Sequence, residues 1–484
     1  MSTQDELKSK GLKGGMWNFM TLMIGQVKNF IVSLILARLL DPTDFGLLGM
    51  AMAFAGIVEA FVDFGFGNAI IQRKEVSQVQ LSTVFYINLF MGLLFMTAMF
   101  LSSPLIAAFF HEPKLSLIVK VMSMSFVIKA LDVIPSALLK RNINFKIPFR
   151  IQVTSGIISG IAGIIMAFSG FGVWALVLSQ VLGWVIATSM LWIIVRWFPS
   201  RIFRWDEVRG LWEYGYKLSL SVFIDQLFSR LKTILIGRFF TAALLGLLYR
   251  AEGLKNLVIQ YSFSAFSGVL LPSLSKCQDN LELLRHNTIR LIQVVSFMTF
   301  FFSGLMFTCA DEIIIILYGQ KWVGAVLFLR ILSLFAFTET LPNILVAPVL
   351  SVGKSGLNLK IEVVKKIIFI LVMPIGLIWG IYSFVICFCL AGVITMPLNM
   401  IALRCIGLKF KTQIWNIASY AIPMIVGCLI VMSFRDIIQT EYRFINLCLD
   451  GLLFAGIYLG YNFMLRQPGV FATSRLLFQL MHIR

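Results

Sequence analysis

The chain has 484 residues, 59% of them hydrophobic (roughly 64% if glycine replaces tyrosine in the count) and 13% charged. Soluble domains carry about 45–50% apolar and about 25% charged residues, so this composition excludes a soluble globule, and it equally excludes a disordered chain. The net charge of +18 would suggest a nucleic-acid partner in a soluble protein. In a polytopic membrane protein basic residues gather in cytoplasmic loops, and no nucleic acid is expected.

A bilayer core of about 30 Å needs about 20 mostly apolar residues per helix. In chain order the apolar windows are 15–37, 44–66, 81–110, 117–138, 149–169, 172–195, 215–237, 241–271, 289–310, 323–350, 359–380, 382–404, 413–434 and 444–465, fourteen in all. Pro104, Pro342 and Pro374 fall inside windows, where membrane helices tolerate kinks. The first window is too long for a signal-peptide core and has no small-residue cleavage site, so it reads as a first span. Loops on alternate sides of these spans carry 24 and 6 Lys+Arg, a bias that places both termini in the cytoplasm. The expected fold is all-α, a polytopic transmembrane bundle of about 14 spans.

Shifting the chain by 200 residues aligns Arg38–Leu48 with Arg238–Leu248, and four of eleven positions agree, Gly46 with Gly246 among them. Both segments follow the first span of a six-span block, so two six-helix lobes in parallel orientation are expected, with the transport path between them. The expected organisation is an N-lobe over 1–195, a basic linker over 196–214, a C-lobe over 215–404, and an appended hairpin with a tail over 405–484.

With Arg150, Arg290, Lys360 and Arg404 at window ends counted with the loops, eleven basic residues fall inside the windows, where each costs about 2.5–3.5 kcal/mol at mid-bilayer. Lys217, Lys365 and Lys366 are near enough to helix ends to snorkel, Glu362 stands four residues before Lys366, and Lys120 and Arg330 are discounted in the same way. Six remain deep: Lys28, Lys129, Arg230, Lys232, Arg250 and Lys255. Helical spacing puts Lys129 beside Asp132, Asp225 on one stripe with Lys232, and Glu252 three residues from Lys255. These pairs read equally as structural ties or as functional groups. Lys28 and Arg250 have no acid within a turn and point to an anionic substrate, with Arg suited to phosphate. Ion-coupling candidates are Glu59 and Asp63, four apart and able to share a proton or a cation, with Asp132, Asp225 and Glu339; Asp450 is another single buried carboxylate.

The seven cysteines contain no CxxC and the three histidines are scattered. No disulfide frame, metal site or cofactor is expected.

The segments ILARLLDPTDFGLLG starting at Ile35, VDFGFGNAIIQRKEV starting at Val62, ALLKRNINFK starting at Ala137 and RFFTAALLGLLYRAEGLKNL starting at Arg238 resemble the polysaccharide-transporter branch of the multidrug/oligosaccharidyl-lipid/polysaccharide exporter superfamily, in particular Wzx-type flippases. The resemblance covers spans 1–12. It implies a flippase of the bacterial inner membrane, not an enzyme, that carries an undecaprenyl-diphosphate-linked oligosaccharide outward by alternating access, coupled to protons or sodium, with a glycan polymerase or export proteins as further partners. It also implies a cavity lined by spans 1, 2, 7 and 8 with basic residues on the diphosphate. Lys28, Arg230, Lys232, Arg250 and Lys255 match by span, and Lys129 is added by depth. Span 2 departs from the pattern by carrying Glu59 and Asp63. The alternatives are a drug or organic-cation exporter of the same superfamily, which deep cations oppose, and a membrane glycosyltransferase or ligase, which would need larger outer loops.

Overall fold

The structure, a computed structural model, describes residues 24–473 except 60, 61, 63, 64, 74, 143, 276, 278, 279 and 439. Helices occupy every apolar window: α1 (24–39), α2 (Pro42–Glu59), α3 (Phe66–Gln72), α4 (Gln78–Phe110), α5 (Lys114–Arg141), α6 (Lys146–Phe168), α7 (Val173–Val195), α8 (Arg209–Phe239), α9 (Ala242–Ser275), α10 (Leu281–Thr308), α11 (Ala310–Tyr318), α12 (Ala325–Leu334), α13 (Phe337–Ser351), α14 (Ser355–Ile378), α15 (Ile381–Ala402), α16 (Phe410–Ile438) and α17 (Arg443–Met464). Among the described residues eight stretches are long and apolar enough to cross a membrane. The other windows are shortened, broken or charged.

Two windows break. The window 44–66 ends as helix at Glu59, and the chain turns through Gly65 at φ 69 before α3 begins. That left-handed backbone is open to glycine at little cost. The window 323–350 divides into α12 and α13 at Phe335–Ala336. Pro342 lies further on, inside α13; it has no N–H to offer residue 338, and its ring crowds that carbonyl. Elsewhere caps set the boundaries: Ser77 and Gln80 form a capping box at the start of α4, and Asn280 caps α10.

The chain folds as two compact units, residues 1–246 and 247–484. In the first, α5 packs on α2, α3, α4 and α7, and α6 pairs with α7. Phe66, Ile70, Val84, Phe85 and Ile134 close its core. In the second, α10 is central, packed on α12, α13, α16 and α17. The hairpin α16–α17, read from sequence as an appendage, is part of this core. Tyr420, Phe454 and Tyr458 are buried there with Phe297 and Phe300, and the Tyr458 hydroxyl donates to the Phe297 carbonyl at 3.0 Å.

The 200-residue repeat has a physical counterpart. A Cβ on Gly46 would strike the carbonyl oxygen of Ala242, and one on Gly246 would strike that of Pro42. Ala242 is the repeat equivalent of Pro42, so the first turns of α2 and α9 meet reciprocally through matched glycines.

Candidate functional site

In the first unit a cavity of about 470 Å³ opens between α1, α5, α6 and α7. Lys28 from α1 and Asp132 from α5 line it, with Gln152 from α6 and Gln180 and Trp184 from α7. Lys28 is half-buried, and its ammonium rests against α6 where Gly156 has no side chain; a Cβ there would strike Nζ. Glycine at 156 therefore makes the space that lets a lysine reach into the cavity. The Asp132 Oδ1 is buried without a hydrogen-bond partner.

Lys129 pairs with Glu59 of α2 and lies 5.5 Å over the Trp184 ring. Lys129 stands beside Asp132 as helical spacing expects, the two lining a common cavity, but its ion pair is to Glu59 on the neighbouring helix. Glu59 ends α2, and its proposed partner Asp63 lies outside the described residues.

Arg230 of α8 lies against α2 at Gly56, where a Cβ would sit 3.0 Å from Nε, and that Nε is buried without a hydrogen bond. Asp225 is exposed on α8 and Lys232 is half-buried. Both make interactions of their own.

In the second unit Lys255 of α9 is buried and donates to both carboxylate oxygens of Glu339 on α13, at 2.8 and 2.7 Å. Local spacing had suggested Glu252. Lys255 and Glu339 share a cavity of about 290 Å³ with Glu362, Lys365 and Lys366 of α14. Glu362 pairs with Lys365 at 2.7 Å. The two α14 lysines were set aside in the sequence as snorkelling residues, yet they line a cavity. The signal that could have found them is two adjacent cations one turn from an acid on an otherwise apolar helix.

Arg250 is placed differently from the other cations. It is buried, with its guanidinium 5.6 Å from the Tyr318 ring centre and 5.8 Å from that of Trp322. Stacking of this kind compensates a desolvated guanidinium by about 2 kcal/mol. Burial pushes the Tyr318 phenol above its usual range, and the Arg250 charge draws it part of the way back; the phenol stays protonated at neutral pH. This enclosure suits a residue that holds α9 to the α11–α12 segment.

The arrangement can therefore attract an anion through Lys28, while Glu59, Glu339 and Glu362 are occupied by lysines. Among the described residues no group of His, Cys, Asp and Glu is arranged to hold a metal.

Known proteins share this architecture. The chain is 25% identical over 377 residues to the lipopolysaccharide biosynthesis protein WzxC of Escherichia coli (strain K12), covering 76% of each chain. The structure is similar to that of lipid II flippase MurJ in an inward closed conformation, with TM-score 0.71 and 13% identity over 94% of this chain and 99% of that one. It is also similar to an inward-facing multidrug resistance MATE family transporter of the MOP superfamily, with TM-score 0.63 and 12% identity over 80% and 95% of the two chains. The fold is thus the one these two structures share. The sequence pattern of the polysaccharide biosynthesis protein family matches residues 35–327, and the chain belongs to that family.

Proposed function

We propose that the protein is a flippase that moves an undecaprenyl-diphosphate-linked oligosaccharide from the inner to the outer leaflet of the bacterial cytoplasmic membrane, by alternating access, for assembly of O-antigen, capsule or exopolysaccharide. The observation that carries this reading is the Lys28 ammonium set into a polar cavity among membrane-length helices. A diphosphate is the part of such a cargo that cannot cross hydrocarbon unaided, and a cation in a low-dielectric cavity offsets its charge. The resemblance to a lipopolysaccharide biosynthesis protein and to a lipid II flippase supports the cargo class. The 24-to-6 basic bias supports cytoplasmic termini.

Of the acids, Asp132 suits ion coupling best, because Glu59 and Glu339 are neutralised by lysines while Asp132 keeps a buried oxygen without a hydrogen bond. Lys28 and Arg230 would hold the diphosphate. Lys129, Lys232 and Lys255 add positive charge around it, Asp225 and Glu339 temper it, and Arg250 positions α9.

Losing a hydrogen bond to a charged group costs about 1.5–3 kcal/mol, or roughly ten- to hundred-fold in affinity. In a strain deleted for this gene, the Lys28→Ala, Arg230→Ala double variant at normal abundance is expected to lower surface polysaccharide at least about tenfold and to leave the lipid-linked unit stranded on the cytoplasmic face. Normal export by the double variant would refute the diphosphate site. The MATE likeness raises drug export as a second reading, but a cationic drug would meet Lys28 as a like charge. Unchanged drug susceptibility of the deletion strain is expected.

A further inference from the structure

A second group of charges lies in the second unit, away from both cavities. Arg435 of α16 donates to Asp311 at 2.6 Å and to Glu312 at 2.7 Å, both on α11. Its Nε stands 3.8 Å from Asp450 of α17. Arg330 of α12 pairs with the same Asp311 oxygen. Three carboxylates thus meet two guanidiniums, and Cys309 and Cys428 are the other titratable groups facing them.

The cluster is buried where it matters. Glu312 and Asp450 are 2% and 4% exposed. One oxygen of each, Glu312 Oε2 and Asp450 Oδ2, is shut off from solvent with no hydrogen bond; Oδ2 faces only the Arg435 Nε, at 3.8 Å too far to donate one. A buried acceptor without a donor carries its full desolvation penalty, about 1–3 kcal/mol and more for a charged group. Three carboxylates against two guanidiniums also leave one negative charge in excess. A single proton relieves both deficits, since it removes the excess charge and supplies an O–H donor on one of the two acids.

We propose that this cluster is a binding site for one proton, carried by the Glu312–Asp450 pair, and that its occupancy sets how firmly the α16–α17 hairpin is clamped to α11 and α12. A proton fits better than a metal cation, because a hard cation needs about six oxygen ligands and the arginines already occupy Asp311 Oδ2 and Glu312 Oε1. The inference does not depend on the identity of the cargo.

The test uses the purified full chain in lipid nanodiscs. Infrared difference spectra between wild type and Glu312→Gln, and between wild type and Asp450→Asn, are recorded over a pH series. The expected result is a protonated-carboxyl band in the wild type at neutral pH that shifts in D2O, fades as pH rises, and is lost in at least one variant. Thermal midpoints give a second readout. A proton held more tightly by the folded state stabilises fully at low pH, and that contribution is lost as pH rises through the folded-state titration. The amide mimics the protonated acid, so Asp450→Asn is expected to gain on the wild type as pH rises. The absence of any variant-sensitive carboxyl band at neutral pH would overturn the proposal. So would a wild type whose stability depends on sodium at fixed pH, which would mark a cation site. Asp450→Asn alone suffices if Glu312→Gln does not fold.

Discussion

Gly246→Val is expected to abolish accumulation of folded protein, and Gly246→Ala and Gly46→Ala each to lower the thermal midpoint markedly in detergent. The reason is what a side chain would meet. At both positions the first atom in the way is a backbone carbonyl, of Pro42 for Gly246 and of Ala242 for Gly46. A flexible neighbour can swing aside, but a helix first turn has to move as a body. Overpacking typically costs about 1–3 kcal/mol, and a backbone collision belongs at the upper end. The two alanine variants open the same contact, so their double mutant is expected to cost less than the sum. Gly253→Ala is the control: it lies on α9 with nothing within 4 Å of the added Cβ. It should raise stability by about 0.5–1 kcal/mol, the ordinary gain of alanine over glycine in a helix. Equal behaviour of Gly246→Ala and Gly253→Ala in thermal unfolding would contradict the reciprocal contact.

Arg435→Met is expected to be the most damaging single change in the second unit. Its side chain is 11% exposed and joins acids from α11 and α17. Removing one partner of a buried ion pair costs about 3–5 kcal/mol, because it leaves unpaired charge behind. The loss should fall on the hairpin, seen as faster proteolysis or hydrogen exchange in α16–α17 than in α10. Arg435→Lys is expected to recover only part of the stability, since an ammonium lacks the planar fork that reaches Asp311 and Glu312 together. Lowering pH should rescue Arg435→Met partially, by protonating the stranded carboxylates. An Arg435→Met protein with wild-type exchange in α16 and α17 would show that the cluster does not hold the hairpin.

The helices were legible because their signal is local: each needs only a long apolar run, and every window holds one. The two breaks were less so. Gly65 and Pro342 are visible in sequence, but membrane helices tolerate both residue types, and only the packed chain decides whether a helix bends or stops. Charged partners were the least legible. Local spacing matched Lys129 to Asp132 and Lys255 to Glu252, whereas Lys129 pairs with Glu59 and Lys255 with Glu339. Inside a bundle, a desolvated ammonium takes whichever carboxylate the neighbouring helix presents, and one sequence carries no record of which helices touch. Arg250 was grouped with the cavity cations for the same reason, since Tyr318 and Trp322 come from a distant segment. Of the cluster around Arg435, the sequence shows only a discounted Arg330 and a lone Asp450, because its members come together from four helices, two of them distant in the chain from the others.

The most direct test of the transport reading is reconstitution of the purified protein in liposomes with a defined undecaprenyl-diphosphate-linked oligosaccharide, run with and without proton and sodium gradients. The account predicts transbilayer movement well above that of protein-free liposomes, accelerated by one of the gradients and reduced at least about tenfold by Lys28→Ala. Movement no faster than in protein-free liposomes, or unaffected by the loss of Lys28, would contradict it.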